Sequence, residues 1–298
     1  MKEYLNQEKL NLMRNKKGFI AALDQSGGSS AKTLLKYGVD SNMYHSDEEM
    51  FELIHDMRKR VFTSPVFTNE KIIGSILFYK TMESKVEGKY TSEYLWDNKK
   101  ILSFLKVDKG LMEEIEQVQL MKDIPDLEEQ LSEARMHGVF GTKMRSVILG
   151  ANREGIRKIV KQQFEFAKII CDNGLVPIIE PEVDIHIEDK VEAEKILKEE
   201  IKTQLDNWNE SLYIMFKFTI PTIDNFYEDL YDYSCVVRIV ALSGGYEMDD
   251  ACEKLSRNNR MIASFSRALL ENLRFQQSDD EFNKELETAI DKIYQASI

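Results

Sequence analysis

Short apolar runs alternate along this chain with longer stretches in which apolar residues recur every three or four positions. Eight of the short runs are rich in β-branched and aromatic residues and have the length of a strand. They are GFIAALD (18–24), KIIGSILF (71–78), ILSFLKVD (101–108) and VFGTKMRSVI (139–148), then GLVPIIEPE (174–182), LYIMFKFT (212–219), CVVRIVALSGG (235–245) and MIASFS (261–266). Between them, residues 47–62 put Met50, Phe51, Ile54, Met57 and Val61 on one helical face. Residues 153–174 do likewise and stop at Asn173-Gly174, a pair suited to a helix end. Residues 187–208 and the polar 278–298 also read as amphipathic helices. The link 222–234 is short and tyrosine-rich, with no clear helical period.

Strands alternating with helices predict a parallel sheet. Eight such units predict closure into a (β/α)8 TIM barrel of the α/β class. An open, doubly wound sheet usually carries an early phosphate loop, and neither G-x-G-x-x-G nor G-x-x-x-x-G-K-[ST] occurs here. Prolines are few and no Pro/Ser-rich linker divides the chain. The expectation is therefore one domain, 1–298, with N- and C-terminal helices added to the barrel.

Composition narrows the partners. The 52 acidic residues outnumber the 40 basic ones, so nucleic acid and anionic membrane surfaces are poor candidates. A small anionic ligand fits if basic groups gather in one place. The three cysteines, Cys171, Cys235 and Cys252, have no metal-like spacing and suit a reducing compartment. With no apolar leader and no long apolar run, the expected location is the cytoplasm. Nothing in the pattern argues for or against a homo-oligomer.

One lysine stands out against the pattern. Lys217 lies inside the apolar run YIMFKFTIP (213–221). Burying an ammonium costs several kcal/mol, about 3 or more, unless it is paired or neutralised, and a neutral amine attacks carbonyls. In a (β/α)8 barrel, chemistry gathers at the C-terminal ends of the strands. The polar residues there are Asp24, Lys106 and Asp108, Lys143 and Arg145, Glu180 and Glu182, Lys217, Ser243-Gly244-Gly245 and Arg267. Two-residue alternation puts Lys143 with Arg145, and Glu180 with Glu182, on shared faces. It also puts Met215, Lys217 and Thr219 on one face, opposite Ile214, Phe216, Phe218 and Ile220. The second set is the one to pack on outer helices, so Lys217 points into the barrel. The Ser-Gly-Gly turn and Arg267 could hold a phosphate.

These pieces resemble the class I, Schiff-base fructose-1,6-bisphosphate aldolases, especially the shorter bacterial members. The matching segments are ALDQSGGS (22–29), ILFYKTM (76–82), KVDKG (106–110), GTKMR (141–145), VPIIEPE (176–182), MFKFTIP (215–221), LSGG (242–245) and SFSRAL (264–269). They fall in the family's order over residues 18–270. The resemblance implies a (β/α)8 barrel that cleaves fructose 1,6-bisphosphate reversibly to dihydroxyacetone phosphate and glyceraldehyde 3-phosphate. It implies Lys217 as the Schiff-base lysine, Glu180 as the main acid–base residue and Glu182 as the neighbour that orients Lys143. It further implies Lys143 as a second active-site lysine and Asp24 as the carboxylate beside the hydroxyl at the cleaved bond. Ser243, Gly244 and Arg267 would form one phosphate site, and Lys106 and Arg145 would contact the other phosphate. No cofactor and no metal are implied, and the partner is a small phosphosugar.

Two departures accompany the resemblance. Animal members carry a C-terminal tyrosine on a flexible tail that assists proton exchange, whereas Tyr294 here sits in a helical pattern. Gln25 also stands where those members usually have glutamate. Two other readings remain: another Schiff-base phosphosugar lyase or transaldolase-like barrel, and a non-catalytic phosphosugar-binding scaffold. The EPE strand with two phosphate sites favours the bisphosphate. The alternately spaced Asp184, His186 and Glu188 read as a solvated loop rather than a metal site.

Overall fold

Eight parallel strands, one at each predicted run, lie side by side in chain order in the computed structural model, which describes residues 5–298. They are β1 (Phe19–Leu23), β2 (Ile72–Leu77), β3 (Leu102–Lys106), β4 (Gly141–Ile148), β5 (Val176–Val183), β6 (Ile214–Thr219), β7 (Val236–Leu242) and β8 (Met261–Ala263). Helices fill the connections, with only a 3-10 turn between β6 and β7, so the architecture is the predicted (β/α)8 barrel. Between β8 and β1 no ladder forms among the described residues. One backbone hydrogen bond, Ala22 N to Phe265 O at 3.2 Å, crosses that seam.

Alternation along the strands sorts the core into two shells. On β6 and just after it, Ile214, Phe216, Phe218 and Ile220 pack outward with the helices, and Met215 packs inward, as the pattern required. Ile20, Phe104, Phe140, Ile178, Val240 and Ile262 complete the inner shell. The N-terminal helix Gln7–Asn15 closes the floor by adding Leu10 and Met13 to it. Arg238 of β7 fastens that helix by donating to the Met13 carbonyl, Nε at 2.9 Å and Nη2 at 2.7 Å. These are carbonyls that a helix end leaves unpaired. With the floor sealed, the C-terminal mouth is the open end.

The helix Arg153–Asp172 shows how the local sequence builds the wall. Asn152 caps it by accepting the Gly155 amide at 3.0 Å, and Gly174, with φ of +79°, ends it. Ile156, Ile159, Val160, Phe164, Ala167 and Ile170 form its buried stripe. Each large side chain so buried contributes about 1.5–3 kcal/mol. The predicted helices at 47–62, 187–208 and 278–298 appear as Asp47–Thr63, Lys190–Leu205 and Asp279–Gln295. The last begins with a capping box, Ser278 with Glu281, and contains Tyr294. The link 222–234 forms only a 3-10 turn, Glu228–Asp232.

Candidate active site

The wall opens beside two of the candidate side chains. The β5–β6 ladder pairs Ile178 with Met215 and Ile179 with Phe216, and no further rung follows. Glu180 and Lys217 come next on the inward faces. The Glu180 amide, freed from the ladder, donates instead to the Gln163 side chain at 2.9 Å. Gln163 in turn donates to Ser146 Oγ at 3.0 Å. Pro181 has no amide to satisfy. Beyond the gap, Thr219 Oγ1 accepts the Val183 amide at 3.0 Å and donates to the Val183 carbonyl at 2.6 Å. The strands part around Glu180 and Lys217 and are tied again above them.

Inside this gap the charges alternate. Lys217 Nζ lies 3.0 Å from Glu180 Oε1, and Lys143 Nζ lies 3.2 Å from Glu180 Oε2 and 2.7 Å from Asp24 Oδ2. The side chains of Lys217, Glu180 and Lys143 are about 5 % exposed or less. Two ammonium groups and two carboxylates thus form one buried chain in which every charge has a partner. Leaving one alone would cost several kcal/mol, about 3–5. Burial pushes the Asp24 carboxyl up, but Lys143, with Lys217 and Lys106 nearby, overrides it and holds the group well below the usual carboxylate range. Burial opposes the Lys143 ammonium too, yet Asp24, Glu180 and Asp108 keep it charged, above the ordinary lysine value.

The expected role of Glu182 in orienting Lys143 is not what the structure has. Glu182 Oε2 pairs with Arg145 Nε at 2.6 Å, and the carboxylates that hold Lys143 are Asp24 and Glu180. Register gives the reason. Lys143 lies beside Ile178 in the ladder and Arg145 beside Glu180, but each cation leans two residues along β5, to Glu180 and Glu182 respectively. Lys106 is the ladder neighbour of Lys143 and turns away to Asp108, at 2.8 Å. The expected phosphate contacts Lys106 and Arg145 are therefore both engaged by carboxylates, although both line the mouth.

A cavity of about 490 Å³ opens above this chain. Asp24, Lys106, Lys143 and Arg145 line it together with Gly245, Tyr246, Ser266 and Arg267. Gly244 has φ of +63°, and a Cβ there would meet Ile185 at 2.8 Å, so both conformation and packing demand glycine. Gly245 lies against Arg267, whose Nη2 would be 3.6 Å from a Cβ at that position. Ser243 is buried directly before the two glycines. Among the described residues Arg267 has no carboxylate within ion-pair distance, and neither have Lys32 and Lys36 on the same rim.

A sequence model of the family described as "Fructose-bisphosphate aldolase class-I" matches residues 4–215, stopping just before Lys217. A curated class 1 fructose-bisphosphate aldolase from Porphyromonas gingivalis is 55 % identical over 99 % of this chain and all of its own length. The chain belongs to the class-I fructose-bisphosphate aldolase family. The fold agrees: a ternary co-crystal structure of the Plasmodium falciparum fructose-bisphosphate aldolase superposes with a TM-score of 0.73 at 18 % identity, covering 99 % of this chain and 96 % of that one. As a member of this family the protein is a lyase of glycolytic carbon metabolism.

Three features of this aldolase site were not read from the sequence. Gln163 supports the Glu180 backbone, Asp108 engages Lys106, and Arg58 lies buried behind the first loop. Gln163 and Arg58 had a signal: each is a polar residue in the apolar stripe of an amphipathic helix. Burial pulls the Arg58 guanidinium down to about 10, against the field of Asp24, which leaves it charged at neutral pH. Asp184, His186 and Glu188 form a turn in which Asp184 Oδ1 accepts the His186 amide at 2.7 Å. Among the described residues no three His, Cys, Asp or Glu side chains are placed to hold an ion.

Proposed function

We propose that this aldolase cleaves fructose 1,6-bisphosphate through a Schiff base on Lys217, without a metal ion. The observation that carries the reading is the inward, buried Lys217 amine 3.0 Å from Glu180, which Lys143 links to Asp24 in the lining of a cavity with further cations around it. Lys217 passes a proton to Glu180 and attacks the C2 ketone. Glu180 returns the proton to the departing hydroxyl, water leaves, and an iminium forms. A carboxylate, Asp24 or Glu180, takes the C4 hydroxyl proton. The C3–C4 bond breaks, and its electron pair moves into the iminium to give an enamine. Glyceraldehyde 3-phosphate departs, the enamine is protonated at C3, and hydrolysis releases dihydroxyacetone phosphate and the Lys217 amine.

Each remaining group has a job consistent with its place. Lys143 stays charged between Asp24 and Glu180 and steadies both carboxylates as protons move. Ser243, Gly244 and Arg267 receive the C1 phosphate. Lys106 and Arg145 turn from Asp108 and Glu182 toward the other phosphate, and Glu182 positions Arg145 until they do. A cleavage assay with fructose 1,6-bisphosphate, run with and without EDTA, tests the reading. Turnover within about twofold of the untreated rate is expected. Loss of turnover in EDTA with recovery on adding a divalent ion would overturn it.

A further inference from the structure

Among the described residues, the seam between β8 and β1 is the one place where neighbouring barrel strands share no ladder, and it lies between Asp24 and Arg267. Only Ala22 N to Phe265 O joins the two backbones there among the described residues. Side chains do the rest. Gln25, next to Asp24, donates from Nε2 to Ser266 Oγ at 2.7 Å, and Ser266 is next to Arg267. Arg58 Nη2 donates to the Gln25 carbonyl at 2.6 Å and to Gln25 Oε1 at 3.1 Å, while its Nη1 donates to Thr81 Oγ1 at 2.6 Å.

We propose that Gln25, Ser266 and Arg58 form a clasp across this seam and act as positioning residues that hold Asp24 at a fixed distance from Arg267. The inference rests on the retro-aldol reading above. A bisphosphate ketose must engage Arg267 at one end while Asp24 meets the hydroxyl at the bond to be cleaved, so slack across the seam misaligns one of the two.

The chemistry of the three residues fits the task. An amide at position 25 offers an acceptor and a donor on one planar group. Arg58 takes the acceptor, which fixes the amide's orientation, and the donor then faces Ser266. Arg58 is 1 % exposed, has no carboxylate within ion-pair distance among the described residues, and leaves Nε without a partner. A buried guanidinium held only by neutral acceptors is a costly choice on a helix face otherwise filled by Met50, Ile54, Met57, Val61 and Phe62. Its fork spans the Gln25 backbone, the Gln25 side chain and Thr81 at once, which joins the loop after β1 to the short helix Tyr79–Glu83 after β2.

Two assays on one variant separate positioning from general damage. Cleavage of fructose 1,6-bisphosphate needs Asp24 and Arg267 together. Trapping of dihydroxyacetone phosphate by borohydride needs Lys217 and the phosphate contacts but not the Asp24 hydroxyl contact. Ser266→Ala removes only the clasp's hydroxyl, and the loss of one such bond is expected to slow cleavage roughly three- to tenfold. Trapping should stay within about twofold of wild type. Gln25→Ala should give the same split, and the double variant should be no worse than Gln25→Ala alone, because the two changes remove one shared bond. Equal losses in both assays, no loss in either, or additive losses in the double variant would overturn the clasp. A wild-type chain that does not cleave the bisphosphate would instead overturn the reading on which it rests.

Discussion

The wall formed by β4, β5 and β6 carries buried or half-buried cations, the rim around the β8–β1 seam carries buried Arg58 beside exposed Arg267, Lys32 and Lys36, and the two compensate their charge differently. In the wall, Lys143, Lys217 and Arg145 each meet a carboxylate within 3.2 Å. At the seam, Arg58 is held by neutral acceptors, and Arg267, Lys32 and Lys36 meet no carboxylate among the described residues. The wall resembles a proton-moving device, whose charges must be balanced before substrate arrives and re-balanced as each proton shifts. The rim resembles a receptor for an anion, whose cations gain their partner only on binding. The difference shows why a tally of positive residues at the mouth would misjudge phosphate affinity. What counts is positive charge not already neutralised by the protein.

Substitutions on the two sides should therefore fail in different ways. Glu180→Gln keeps the shape and loses the proposed proton carrier between Lys217 and Lys143. Turnover should fall about 10²–10⁴-fold, the usual range for an acid–base group, with substrate binding nearly intact. Glu182→Gln should cost less, because its carboxylate serves Arg145 at the edge of the wall. A more damaging Glu182→Gln, beside a near-normal Glu180→Gln in stopped-flow adduct formation, would exchange the two assignments. Arg267→Ala gives the smaller effect and the opposite signature. Loss of a charged hydrogen bond is worth about 1.5–3 kcal/mol, or roughly ten- to hundredfold, and it should appear in KM rather than kcat. An unchanged KM with a collapsed kcat would move Arg267 out of the phosphate site.

Much of this division was legible in the sequence. Period-two alternation alone put Lys217 inward and its phenylalanines outward, and the strand-end argument gathered Asp24, Lys143, Glu180, Lys217 and Arg267 at one mouth. Pairing was not legible. Whether Lys143 meets Glu180 or Glu182 depends on how strand tilt carries a side chain past its ladder neighbour, a property of the closed sheet rather than of either strand. Supporting residues were missed for another reason. Gln163 and Arg58 sit where apolar periodicity calls for a core residue, and such local conflicts mark function more often than noise. The helix Gly28–Tyr37 was also missed, because a glycine pair, Gly27 and Gly28, opens it and it has no side-chain cap.

The central claim is that Lys217 is the nucleophile, and covalent trapping tests it most directly. Borohydride added with dihydroxyacetone phosphate, followed by proteolysis and peptide mass spectrometry, should find the reduced three-carbon adduct on Lys217, in the peptide containing Phe216 and Phe218. The yield should be the same in EDTA. An adduct found only on Lys143 or Lys106, or none under conditions where the bisphosphate is cleaved, would contradict the account.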